Sequence, residues 1–214
     1  AAGVAPVVDK LEASGEVSPT IVVFATYYPD RSFATDDYEE DYALNRFFAT
    51  TEIDTLISTV ESRYTTFARG DLSDASLRAS RRHRAFGGFS MGATTTWDVF
   101  ALRPQYFYGY MPMAGESWIG REEDADFPRI AELVTDGALR AGYGPSDFRI
   151  LASVGSEDPA LWDMTPQLDE LYQDYPDLMT ESSLQVWIDE GESHSMASVG
   201  NQVAHNLPLL FPHS

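Results

Sequence analysis

The chain has 214 residues, enough for one domain with a sizeable buried core. Its 14 Lys and Arg against 34 Asp and Glu give a net charge of −20, a field that repels nucleic-acid phosphates and anionic membrane surfaces. It has no cysteine, which excludes disulfides, thiolate metal sites and a cysteine nucleophile.

Val4, Val7, Val8 and Leu11 fall at helical spacing, predicting a helix over Val4–Ala13. Ile21-Val22-Val23-Phe24 is apolar on both faces and reads as a buried parallel strand, ending in the loop Tyr27-Tyr28-Pro29-Asp30. Residues 35–41 hold five carboxylates and read as a solvated acidic loop without calcium-loop spacing. Thr51–Phe67 reads as a helix with Ile53, Leu56, Ile57, Val60 and Tyr64 on one face. Residues 69–81 are turn-like, and Arg78, Arg81, Arg82 and Arg84 read as a surface patch paired with carboxylates. Strands are then expected at 84–89, 107–114, 148–154 and 184–188. Helices are expected at 91–102, 130–139, 161–172 and 199–210, the last bent or ended by Pro208. Strands alternating with helices imply one α/β domain over 1–214, a mostly parallel sheet with helices on both faces. The apolar runs are too short to span a membrane, and the first ten residues lack the layout of a signal peptide.

Gly88-Phe89-Ser90-Met91-Gly92 matches G-x-S-x-G. Such an elbow puts a serine on a strained turn between strand and helix, with glycines where side chains would collide. Ser90 lies between a predicted strand and a predicted helix, as the elbow requires. The bland alternative is a glycine-rich turn with a bystander serine.

A serine needs a base. His83 precedes the elbow strand at its far end, His205 lies within the last helix, and His213 is next to the C-terminal residue. His194 follows the last strand, on the edge where Ser90 emerges; the bland alternative is a surface-loop histidine. The orienting acid should leave the strand 148–154 on that edge. Asp158 is preferred, then Glu157 and Asp163; the alternative for Asp158 is a local turn before Pro159. The order Ser90, Asp158, His194 suits an α/β-hydrolase sheet. No histidine pair, phosphate loop or dinucleotide motif appears, so no metal and no cofactor are expected.

The segments 77–97 (LRASRRHRAFGGFSMGATTTW), 110–118 (YMPMAGESW), 155–168 (GSEDPALWDMTPQL) and 191–211 resemble carbohydrate esterases of the feruloyl-esterase type, a branch of the α/β-hydrolases. Segment 21–30 is more weakly similar. The resemblance implies an α/β-hydrolase three-layer sandwich, with Ser90 as nucleophile, Asp158 as acid and His194 as base. The Met91 amide then serves the oxyanion hole. Tyr27, Tyr28, Trp118 and Trp162 follow strand ends and either stack on a feruloyl ring or sugar, or pack as loop aromatics.

The resemblance also implies an earlier strand, ending in a His-Gly-Gly-type loop, between the strands at 21–26 and 84–89. That strand is absent from these residues, so the domain is expected to be N-terminally incomplete, its missing segment cleaved, omitted or supplied by another chain. The expected partners are an ester substrate, small or polysaccharide-linked, and other domains of a xylan-degrading enzyme, with secretion following from the family. Two other readings compete: a hydrolase or acyltransferase of acetyl or other simple esters, and a non-catalytic carbohydrate-binding relative.

Overall fold

The computed structural model describes residues 3–26 and 38–212. Four strands form one parallel sheet in sequence order: β1 (Ala85–Phe89), β2 (Gly109–Met113), β3 (Arg149–Gly155) and β4 (Leu184–Asp189). Between them run α5 (Met91–Leu102), α6 (Phe127–Arg140) and α7 (Leu161–Asp174). Crossovers between parallel strands are right-handed, so a sheet that grows in one direction receives all of them on one face. These three helices accordingly share one apolar core with Tyr110 of β2 and Ile150, Ala152 and Val154 of β3.

The other face is covered by α8 (Met196–Leu210), with α1 (Ala5–Ser14) packed on it. Met111, Met113 and Leu151 point to that side, where Val8, Leu11, Val199, Val203 and Leu207 bury them. The period-2 alternation of strand side chains thus separates two cores, and the helices lie on both faces as expected. The result is a three-layer α/β arrangement.

Several sequence expectations are corrected. Ile21–Phe24 forms no strand; its side chains are 39–50% exposed and it pairs with nothing among the described residues. An apolar run becomes a strand only beside a neighbour that accepts its ladder, and β1 has its second edge unpaired among those residues. Residues 17–20 are instead tied down by the Val17–Pro212 bridge and by the Thr20 amide donating to the Glu12 carboxylate (2.7 Å).

The helix expected at 51–67 is the second half of a longer one. α2 (Tyr42–Phe47) passes through one wide turn at Phe48–Glu52 into α3 (Ile53–Arg63). Residues 69–81 also contain a short helix, α4 (Asp74–Ala79). Arg81 is no surface residue. It is buried, donates to the carbonyls of Pro104 (3.0 Å) and Phe107 (2.8 Å), and lies over the Tyr143 ring. Arg78 and Arg82 do pair with surface carboxylates, Asp74 and Asp147. Helix α8 continues through Pro208 to Leu210, because that proline lies in its last turn.

Candidate active site

Parallel strands in sequence order deliver all their C-terminal loops to one edge. Ser90 follows β1, residues 114–119 follow β2, Asp158 follows β3 and His194 follows β4.

Ser90 has φ 58° and ψ −120°, left-handed for a residue with a side chain, at a cost of ~1–3 kcal/mol. Its neighbours hold the strain. The Ser90 amide donates to Met113 O on β2 (2.9 Å), and its carbonyl accepts from the amides of Ala93 (2.7 Å) and Thr94 (3.2 Å). A Cβ on Gly88 would lie 2.5 Å from the Gly92 carbonyl, so only glycine fits there. A Cβ on Gly92 would meet nothing within 4 Å, contrary to the expectation that both glycines avoid a collision. Met91 opens α5, where amides point outward and the positive end of the helix lies.

Asp158 is buried, and both of its carboxylate oxygens lie within hydrogen-bond distance of His194 Nδ1, at 3.0 and 2.9 Å. Its Oδ1 also accepts from the Ala160 amide (2.9 Å), so the turn before Pro159 and the contact to histidine coexist. With a carboxylate on Nδ1, the neutral imidazole carries its proton there and keeps a lone pair on Nε2. Phe89 packs against the imidazole, with ring centroids 4.4 Å apart. The residue preceding Ser90 therefore supports the histidine ring. No hydrogen bond joins Ser90 Oγ to His194 among the described residues; such bonds often tighten only when substrate arrives.

The loops carrying Asp158 and His194 are fastened together. Ser156 N donates to Asp189 O (3.0 Å), Glu157 N to Glu192 O (2.9 Å), and Gly191 N to Ser156 Oγ (2.8 Å). A Cβ on Gly155 would sit 2.2 Å from Glu192 O, which makes glycine necessary at the end of β3. Glu157 and Asp163, the alternative acids, are exposed.

The remaining candidates separate. His83 stacks on Phe67 (3.3 Å) and His205 on Trp187 (4.2 Å). Trp118 is partly buried, edge-on to Tyr42 (5.9 Å) and beneath the Arg121 guanidinium (4.5 Å). Trp162, in the first turn of α7, is 77% exposed. Tyr27, Tyr28, Asp36, Asp37 and His213 lie outside the described residues. Among the described residues no cluster of three or more His, Asp or Glu could hold a metal ion, and no helix is long and apolar enough to cross a membrane. Sequence reasoning did not single out Phe89 or the Asp189 side chain. Phe89 was within reach, as the variable residue immediately before the serine of the motif.

No protein-family model matches the chain. A feruloyl esterase module from Clostridium thermocellum, a point variant complexed with sinapinate, superposes with TM-score 0.77 at 27% identity over 95% of this chain and 68% of its own. By sequence and by fold, this chain is similar to that feruloyl esterase module. Endo-1,4-beta-xylanase Y of Acetivibrio thermocellus is 29% identical over 209 residues, which is 96% of this chain but only 18% of that enzyme. The fold also matches the S-formylglutathione hydrolase of Staphylococcus aureus (TM-score 0.54, 17% identity, 80% of this chain and 64% of that one). The chain thus spans about a fifth of the curated xylanase it resembles.

Proposed function

We propose that this chain is a serine esterase that hydrolyses hydroxycinnamoyl esters, of the feruloyl type, on plant cell-wall polysaccharide. The observation that carries the reading is the buried Asp158 carboxylate on His194 Nδ1, with the imidazole resting on the residue before the strained Ser90. His194 Nε2 removes the Ser90 proton, and Ser90 Oγ attacks the ester carbonyl. Asp158 keeps the base in its productive tautomer and stabilises the imidazolium. The Met91 amide and the N-terminus of α5 receive the developing oxyanion. His194 then protonates the leaving alcohol and activates water against the acyl-enzyme.

Trp118 and Trp162 stand beside the reacting edge as platforms for the acyl ring or a sugar. Tyr27 and Tyr28 belong to the same proposal. So does a further strand on the free edge of β1, which would complete one domain and bring a second oxyanion donor. The likeness to a xylanase supports work beside xylan-cleaving domains outside the cell.

Initial rates on methyl ferulate and p-nitrophenyl acetate, with Ser90→Ala as control, test the reading. Ferulate turnover that falls at least ~10³-fold in the variant is the expected result. Acetate turnover alone would transfer the assignment to a simple-ester hydrolase. Turnover of neither, with xylo-oligosaccharide still bound, would favour a binding protein.

A further inference from the structure

The face of the sheet under α8 carries an unusual feature: a chain of buried polar side chains. Asn206 Nδ2 donates to Ser153 Oγ (3.0 Å), and Ser153 Oγ donates to Gln202 Oε1 (2.8 Å). Gln202 Nε2 donates to Ser198 Oγ (2.8 Å), and Ser198 Oγ donates to the Asp189 carboxylate (3.0 Å). Ser153, Ser198 and Gln202 are fully buried, and Asp189 is 7% exposed. Every donor points the same way, and the chain ends on the carboxylate. Asn201 Nδ2 adds a second donor to it (3.1 Å). No Lys, Arg or His pairs with Asp189 among the described residues, so hydrogen bonds and the N-terminal end of α8 hold its charge.

Asp189 and Ser198 bracket the loop that carries His194. Asp189 closes β4, and Ser198 lies in the first turn of α8, three residues after the N-cap Ser195. The Asp189 carbonyl accepts from Ser156 N (3.0 Å), two residues before Asp158, and from Glu192 N (3.2 Å). One residue therefore fastens the acid loop through its backbone and the far end of the base loop through its side chain.

We infer that Asp189 is a positioning residue: its carboxylate clamps the two ends of the 189–198 segment and so holds the His194 imidazole between Asp158 and Ser90. The inference rests on the esterase reading only in taking His194 as the base. Both donors reach the same carboxylate oxygen, Oδ2, and an amide in its place keeps an acceptor but lacks the charge that strengthens both bonds. Its loss lets the first turn of α8 shift against β4, and the imidazole moves with it.

Asp189→Asn and Ser198→Ala, in the whole chain, test this. Active sites are counted by complete labelling with a fluorophosphonate, so that unfolded protein does not enter the rate. In Asp189→Asn, kcat for methyl ferulate per labelled site should fall about tenfold, equivalent to about 1.4 kcal/mol, with KM within about twofold. Ser198→Ala should show the same split. In the proton NMR spectrum, the downfield signal of the His194 Nδ1 proton shared with Asp158 should weaken in both. Unchanged kcat per site with a lowered melting temperature would make the chain purely structural and overturn the inference, as would an unaltered proton signal. Should Asp189→Asn not fold, Ser198→Ala and the exposed Asn201→Ala decide in its place. If the wild-type chain hydrolyses no ester, the esterase reading fails alone, and the proton signal still decides the role of Asp189.

Discussion

The two faces of the sheet are built differently. Under α5, α6 and α7 large apolar side chains dominate the contact: Phe100 is fully buried, with its ring 5.0 Å from Tyr110 and 4.9 Å from Phe148, and the buried Thr96 and Thr135 hydroxyls bond back to their own helices. Under α8 the apolar residues share the face with the Ser153, Gln202 and Asn206 side chains. Apolar packing is strong but tolerant of small sliding, whereas a satisfied buried polar chain admits one register. The elbow helix α5 therefore rests on the face that supplies stability. The helix following His194 rests on the face that fixes position.

Breaking the apolar face should have the largest effect on stability. Phe100→Ala is expected to cost ~3–5 kcal/mol, lowering the melting temperature by roughly 10 °C while ester turnover per folded molecule stays near wild type. Calorimetry with rates normalised to active sites checks both halves of this expectation. On the polar face, Gln202→Leu should cost less, ~1–3 kcal/mol, because it leaves the Ser153 hydroxyl without its acceptor and the Ser198 oxygen without its donor. Adding Ser153→Ala should restore part of that loss, since removing both partners leaves fewer polar groups unsatisfied. Urea denaturation of the single and double variants gives the comparison, and a double variant less stable than the single would contradict it.

Among the buried polar side chains on the apolar face is a carboxyl, Asp98 on α5. It is buried, accepts from the Tyr42 hydroxyl at 3.0 Å, and has its other oxygen unpartnered. Burial pushes its carboxyl up to about 7, against smaller opposing effects of the Tyr42 hydrogen bond and Arg46. A carboxyl raised in the folded state binds its proton more tightly there than when unfolded. The stability it permits is thus complete below about 4 and is lost as pH rises towards 7. Asp98→Asn keeps an acceptor for Tyr42 and removes the charge. Its melting temperature should match wild type at pH 4 and exceed it by several degrees at pH 8. An equal offset at both values would mean that Asp98 does not titrate in this range.

Much of the architecture could be read along the chain. The sheet strands are short apolar runs, and α5 through α8 are separated from them by turn residues, so their placement needed only local pattern. Ser90 was legible because its motif holds Gly88, where a Cβ would collide with the Gly92 backbone, a local steric demand. Asp158 and His194 were legible because parallel strands bring the loops that follow them to one edge. The structure then brought that pair within hydrogen-bond distance.

Other features required the tertiary structure. Ile21–Phe24 has the composition of a buried strand, but a strand depends on its neighbour, and composition does not say whether one is there. Arg81 sits in a basic cluster that reads as surface, yet it fills a pocket of backbone carbonyls drawn from residues 104 and 107. Gln202 and Asn206 look like the solvent face of α8, but they meet Ser153 across some fifty positions. The sequence by itself determined the turn at Ser90 and the edge on which Ser90, Asp158 and His194 emerge, because strand, turn and elbow are short-range steric choices. Only the tertiary structure decided which polar groups are buried together, because that depends on partners distant in the chain whose approach no local pattern records.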